Sequence, residues 1–137
     1  MSANKPVRVL IAYAATLAAL VALDLVWLRF ASDRFFRPAW GDYLASDPNI
    51  GAAALFYIFF SGGLIFFCVL PAAGSKSLAL ALLRGALLGF LAYMTFDLTN
   101  LAIMKAWPLK VALIDMSWGT FASALSAAAG FLVFGKP

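Results

Sequence analysis

The chain has 137 residues, 65% of them apolar and 12% charged, with a mean hydropathy of +0.97; soluble domains average about 45–50% and roughly 25%, so composition excludes a water-soluble fold. Its net charge of +4 comes from basic residues scattered in ones and twos at the ends of apolar runs, a placement that suits lipid head groups and not nucleic acid. With no histidine, no glutamate and one cysteine, the chain alone cannot build a Ser-His-Asp triad, a histidine-held metal or haem, or an internal disulfide, and no cofactor or metal site is read from it.

The first apolar run covers residues 7–28. Lys5 and Arg8 before it give it the look of a signal peptide, but it is longer than a typical h-region of about 7–15 residues and no small-x-small cleavage site follows, so it reads as a retained span. Residues 29–50 form the one substantial connection. Phe30, Phe35, Phe36, Trp40, Tyr43 and Leu44 mix there with Arg34, Arg37, Asp33, Asp42 and Asp47, a composition that belongs at a membrane interface. Pro38, Gly41 and Pro48 are expected to break it into a short surface helix and a turn.

The second span is predicted over residues 52–70, with Ser61-Gly62-Gly63 near its middle and Cys68 as a small packing residue. Residues 71–76 read as a tight turn. The third span covers residues 78–103 and is closed by Trp107-Pro108; the fourth covers residues 111–134. Each is about 20–25 residues, the length that crosses a bilayer. The expectation is therefore an all-α integral membrane four-helix bundle, one transmembrane domain over residues 1–137, with both termini on one side.

Orientation is less marked. Lys5, Arg8, Lys76, Arg84 and Lys136 lie with the termini, and Arg29, Arg34, Arg37, Lys105 and Lys110 lie opposite, a tie under the positive-inside rule. Asp33, Asp42 and Asp47 offset the arginines of the first loop, which leans the termini toward the cytoplasm of a bacterial inner membrane.

All six acids are aspartates, and three sit inside apolar runs. Asp24 lies near the end of span one, Asp97 near the end of span three and Asp115 near the start of span four, so all three fall in one leaflet, about 6–9 Å below its edge at about 1.5 Å of rise per residue. A buried aspartate costs about 2.5–3.5 kcal/mol at a helix centre and less toward the ends; three facing lipid separately would be a heavy burden, and a shared polar pocket relieves it. Each stands three residues before a hydrogen-bond donor, Trp27, Asn100 and Trp118, on the same helix face. Tyr93 and Asp97 continue a stripe that begins with Gly85 and Gly89, Gly119 and Ser123 form a comparable seam on span four, and Tyr57 falls in the same leaflet. The glycines read as helix-packing devices. A plainer alternative lets each aspartate reach interfacial water or pair with Arg29, Lys105 or Lys110. Trp40 and Trp107 read as belt anchors, whereas Trp27 and Trp118 are divided between belt and pocket.

Asp24 to Leu28 and Asp97 to Leu101 both read D-L-x-[WN]-L, which hints at a duplicated hairpin. Together with Y-x-x-x-D-L-T-N from Tyr93 and D-x-x-W-G from Asp115, these motifs resemble a small bacterial family of four-span predicted membrane proteins of unknown function. The resemblance covers essentially the whole chain. It implies the four-span topology and marks Asp24, Trp27, Tyr93, Asp97, Asn100, Asp115, Trp118 and Gly119 as motif positions, without implying an activity.

Two functional classes suit these residues. The first is a protein that binds or transports a cation, a proton or a lipid head group, since aromatic faces and carboxylates together recognise ammonium groups. Membrane lipid is the expected partner, and transport would call for a homo-oligomer joined at the glycine seams. The second is an intramembrane enzyme working with an aspartate pair, although no G-x-G-D or D-D-x-x-D motif is present and no catalytic residue is assigned. A structural or accessory membrane subunit is the remaining alternative.

Overall fold

A computed structural model describes residues 4–135; Lys136, counted above with the termini, lies outside them. Among the described residues the structure is helical, with no strand. Four helices are long and apolar enough to cross a membrane, of 39, 25, 26 and 26 residues. At about 1.5 Å per residue each exceeds the roughly 30 Å hydrocarbon core.

The first is longer than the sequence suggests. Helix α1 (Lys5–Ala31) passes through a π-helical turn, Ser32–Phe36, into α2 (Arg37–Trp40) and a single 3-10 turn, Gly41–Tyr43. The sequence makes Pro38, with Gly41 and Pro48, a break within the connection. Instead it sits in the first turn of α2, immediately after the π turn closes through Arg37 N–H to the Ser32 carbonyl. The change of register in the π turn is what carries the helix past the proline. The second span repeats the device. Helix α3 (Ile50–Leu64) runs through a π turn, Ile65–Val69, into α4 (Leu70–Gly74), with Pro71 again just beyond. The expected break at Pro71 is thereby postponed to Ser75.

Side chains mark the helix starts. The Asn49 side chain accepts from Ala52 N–H at 3.0 Å, and the Ser77 hydroxyl accepts from Leu80 N–H at 3.1 Å at the head of α5 (Leu78–Ile103). Helix α6 (Leu109–Phe134) follows Pro108.

Helix α6 packs on α1 along one side and on α5 along the other. Gly85 and Gly89 face Gly119, Ser123, Ala124 and Ala127: a Cβ on Gly85 would stand 2.7 Å from the Ser123 carbonyl, and one on Gly89 would run into the Gly119 carbonyl and the Ser123 side chain. The two small-residue seams thus close on each other within one chain. These positions are therefore taken up by contacts inside the chain. Along α1, Ala12, Thr16, Leu20 and Asp24 recur every four residues as the buried stripe. Gly130 of α6 lets Thr16 and Val69 approach, and Leu20, Leu64, Cys68, Val69, Ala122 and Ala127 fill the centre.

The second span meets α5 through its π turn and α4, and α3 itself turns toward α1. At the end that holds the aspartates, α3 and α5 therefore stand apart. At the opposite end Arg8 donates from Nε to the Phe134 carbonyl at 3.0 Å and lies over the Phe134 ring, a cation at a helix C-terminus. Arg84 donates to the Phe67 carbonyl, inside the second π turn, at 3.1 Å.

Candidate functional site

The antiparallel helices bring the C-terminal part of α1, the N-terminal half of α3, the end of α5 and the start of α6 to one end of the bundle. Asp24, last of the four-residue stripe on α1, has both oxygens engaged. The Tyr57 hydroxyl donates to Oδ2 at 2.8 Å and the Trp118 indole N–H donates to Oδ1 at 2.8 Å. One carboxylate so joins α1, α3 and α6.

Asp97 is placed differently. It has no exposed surface, against 7% for Asp24, and Asp115 is only half-buried. Its carboxyl lies within hydrogen-bonding reach of that of Asp115 and near the indole of Trp107, and neither oxygen accepts from a well-aligned backbone, hydroxyl or indole donor among the described residues. Tyr93, one turn earlier on α5, lies flat on Gly119, where any Cβ would collide with its ring, and stands within electrostatic reach of Asp24, Asp97 and Asp115.

Tyr57, Tyr93, Asp97, Asp115, Asp24 and Trp118 therefore share one end of the bundle, with Asp97 and Asp115 as a facing pair. Trp27 stacks on Trp118 at 4.7 Å between centroids and 7° between planes. Asn100 is not bonded through its side chain; its backbone carbonyl accepts from Met104 N–H and ends α5. The ion pairs open to these acids from Arg29, Lys105 or Lys110 do not form. Among the described residues the ion pair is Arg37 to Asp33 at 2.8 Å, on the surface of the first connection. No cluster of three or more potential metal ligands occurs among the described residues.

Sequence reasoning missed Trp40 and Trp107 as parts of this region. Belt anchors would spread around the perimeter with their N–H groups in interfacial water. These two stack on each other at 4.8 Å, and Trp40 also stacks on Phe36 at 4.8 Å and 5°. Phe36 meets Trp27 edge-on and Trp107 meets Phe96 edge-on, so all four tryptophans of the chain belong to one aromatic ladder across the bundle end. The indole N–H groups of Trp27, Trp40 and Trp107 are buried without partners. A signal was present in the sequence: the four-span topology alone puts every tryptophan on the side away from the termini.

The extension of α1 forms a roof. Phe36 packs with Ala31 and Val111, and Trp27, Phe35, Ala39 and Trp40 pack against them, while Asp33, Arg34 and Arg37 face outward. Beneath it a cavity of about 560 Å³ reaches inward to Tyr93 and Asp115.

No curated protein and no solved structure matches the chain. A family described as "Predicted membrane protein (DUF2177)" matches residues 9–132, a range that reaches into all four apolar helices and takes in every position of the three motifs; the chain belongs to that family of membrane proteins of unknown function.

Proposed function

We propose that this multi-pass membrane protein binds or transports a cation, a proton or a polar head group at the acidic, aromatic end of its bundle. The observation that carries the reading is the facing pair of Asp97 and Asp115, which has no basic side chain paired to it among the described residues. Carboxylates removed from water need a counter-charge or a proton, and neighbouring aromatic faces favour a cation of low hydration such as an ammonium ion. Asp24 serves as the joint that holds Tyr57 and Trp118 around the site.

Calorimetric titration of the purified chain in neutral detergent with tetramethylammonium is the first test. Saturable binding that disappears in Asp97→Asn and Asp115→Asn is expected. Equal binding by both variants would remove the proposal.

A second reading, an intramembrane enzyme with an aspartate pair, is favoured by the same adjacency, because a carboxylic acid and a carboxylate side by side can act as acid and base. Time-dependent conversion of a lipid or peptide substrate by the parent, abolished in either asparagine variant, would select it over binding alone.

The chain is further proposed to lie in a bacterial inner membrane with both termini in the cytoplasm. Reporter fusions at Ser75 and at the carboxyl terminus should agree and oppose a reporter inserted at Asp47. A shared compartment for Asp47 and Ser75 would overturn this topology.

A further inference from the structure

The separation of α3 from α5 gives the acidic end a side door. Phe56 on α3 and Ala92 and Phe96 on α5 form facing walls of the cavity, Trp40 and Leu44 roof it, and Asp115 lies at its inner end. Phe56, Leu44 and Phe96 are also exposed on the outer surface of the bundle, so the cavity opens sideways into the acyl-chain layer and not along the bundle axis. Its volume of about 560 Å³ lies within the roughly 300–1,000 Å³ of ligand pockets, and its make-up, apolar walls with a few polar groups at one end, is theirs too.

The polar end calls for a cation. Asp115 lines the cavity, and the carboxyl of the fully buried Asp97 lies next to it, with no basic side chain paired to either among the described residues. A ligand that compensates this acidic pair must bring a positive head. A ligand that also fills the apolar walls must carry a chain. A small soluble ammonium ion has the first property alone, and a hydrocarbon the second alone.

We infer that the site takes a membrane amphiphile with an ammonium head, which slides in between α3 and α5, sets its head against Asp115, whose carboxyl neighbours that of the buried Asp97, and leaves its chain between Phe56 and Phe96. This rests on the cation-binding reading above and adds to it the ligand class and the route. The roof contributes selectivity: Trp40 presents a ring to the cavity, and its indole N–H has no hydrogen-bond partner among the described residues.

Because all four tryptophans stand in the ladder beside the cavity, a chain-brominated amphiphile bound there quenches their fluorescence. The test uses the full chain in dodecyl maltoside, with bromoundecyl-trimethylammonium as probe, the brominated alkyl sulfate of equal chain length as the anionic counterpart, and tetramethylammonium as the chainless competitor. Saturable quenching by the ammonium probe is expected, with the sulfate and tetramethylammonium each weaker by about tenfold or more. Ala92→Leu, which fills the cavity, should weaken the probe by about tenfold. Phe56→Ala, a truncation on the outer surface that leaves the core untouched, should weaken it in the same direction and serves if the leucine variant does not fold.

The outcomes separate the two claims. If the sulfate binds as tightly as the ammonium, or Asp97→Asn and Asp115→Asn bind like the parent, the cation reading fails and this inference falls with it. If instead tetramethylammonium competes as well as a chained ammonium and neither Ala92→Leu nor Phe56→Ala alters the titration, the cation reading stands and the amphiphile and its sideways route are overturned.

Discussion

Helices α5 and α6 lie side by side along their length, yet their two ends behave in opposite ways. Toward the termini, Gly85 and Gly89 seat against Ser123, Ala124 and Ala127, backbone against backbone, and Ser126 returns its hydroxyl to the Ala122 carbonyl at 2.7 Å. Toward the connections, the same two helices carry Tyr93, Asp97, Asp115 and Trp118, and α3 stands away from α5. In a lipid environment the hydrophobic effect between helices is absent, so close packing and hydrogen bonds supply the association. Small residues deliver the packing at one end; the other gives it up for bulk and polarity. Buried hydroxyls without partners occur in the packed region as well, at Thr16, Ser61 and Ser123, but among the described residues the carboxyl group and the three indole N–H groups without partners all lie at the open end. The rigid seam makes the open end affordable.

The largest effect should come from breaking the seam. Gly89→Val places a side chain into the Gly119 carbonyl and Ser123, and because the obstruction includes backbone, no rotamer change relieves it. A loss of about 3 kcal/mol or more is expected, seen as loss of a folded, monodisperse peak in detergent. Gly62→Ala is the control, since nothing lies within 4 Å of the added Cβ. It should be neutral or gain up to about 1 kcal/mol from helix propensity. Equal losses from both would mean that composition, and not contact, matters.

A middle-sized effect distinguishes the aspartates. Asp24→Ala removes the acceptor of both Tyr57 and Trp118 and should cost about 2 kcal/mol, judged from roughly 0.6–1.7 kcal/mol for one interhelical bond in a membrane protein. Asp97→Asn takes no acceptor from a well-aligned backbone, hydroxyl or indole donor among the described residues, its amide can still donate to Asp115, and a neutral amide is easier to bury than a carboxylate. Its midpoint in detergent melting should hold or rise while ammonium binding is lost. The reverse pattern, with Asp97→Asn the destabilising change, would make Asp97 the joint and Asp24 the site.

Much of this contrast was legible in the sequence, because it depends on where residues fall along four helices of known period and direction. The leaflet shared by Asp24, Asp97 and Asp115 follows from counting spans, and the seams from four-residue spacing of Gly85 with Gly89 and Gly119 with Ser123. What seams meet is not periodic information: nothing in the spacing states that Gly89 lies on Gly119 of the same chain and not on a second copy. The π turns were illegible for a related reason. Pro38 and Pro71 read as breaks because the usual helix cannot pass a proline, and the rescue lies in one backbone bond of changed register, Arg37 to Ser32 and Leu70 to Ile65, on which side-chain identity has little say. The stacking of Trp40 on Trp107 was hidden because a tryptophan at the membrane edge has the same composition signal whether it faces water or another tryptophan.

The smallest effect probes the roof. Trp40→Phe keeps an aromatic ring between Phe36 and Trp107, where Trp40 now stacks at 4.8 Å from each, and deletes only the indole N–H and part of the ring area. The lost area costs stability, whereas removal of a buried donor without a partner returns some of it, so the melting midpoint should move by no more than about 1 kcal/mol equivalent. Binding tells more. An alkyltrimethylammonium has no acceptor for the N–H and should bind the variant as it binds the parent. Dodecylphosphocholine carries the same ammonium with phosphate oxygens beside it and should lose about 1 kcal/mol, the usual net worth of one hydrogen bond. A loss shared equally by both ligands would show that Trp40 acts through its ring alone, and a large fall in stability would show that the roof belongs with the packed seam and not with the open end.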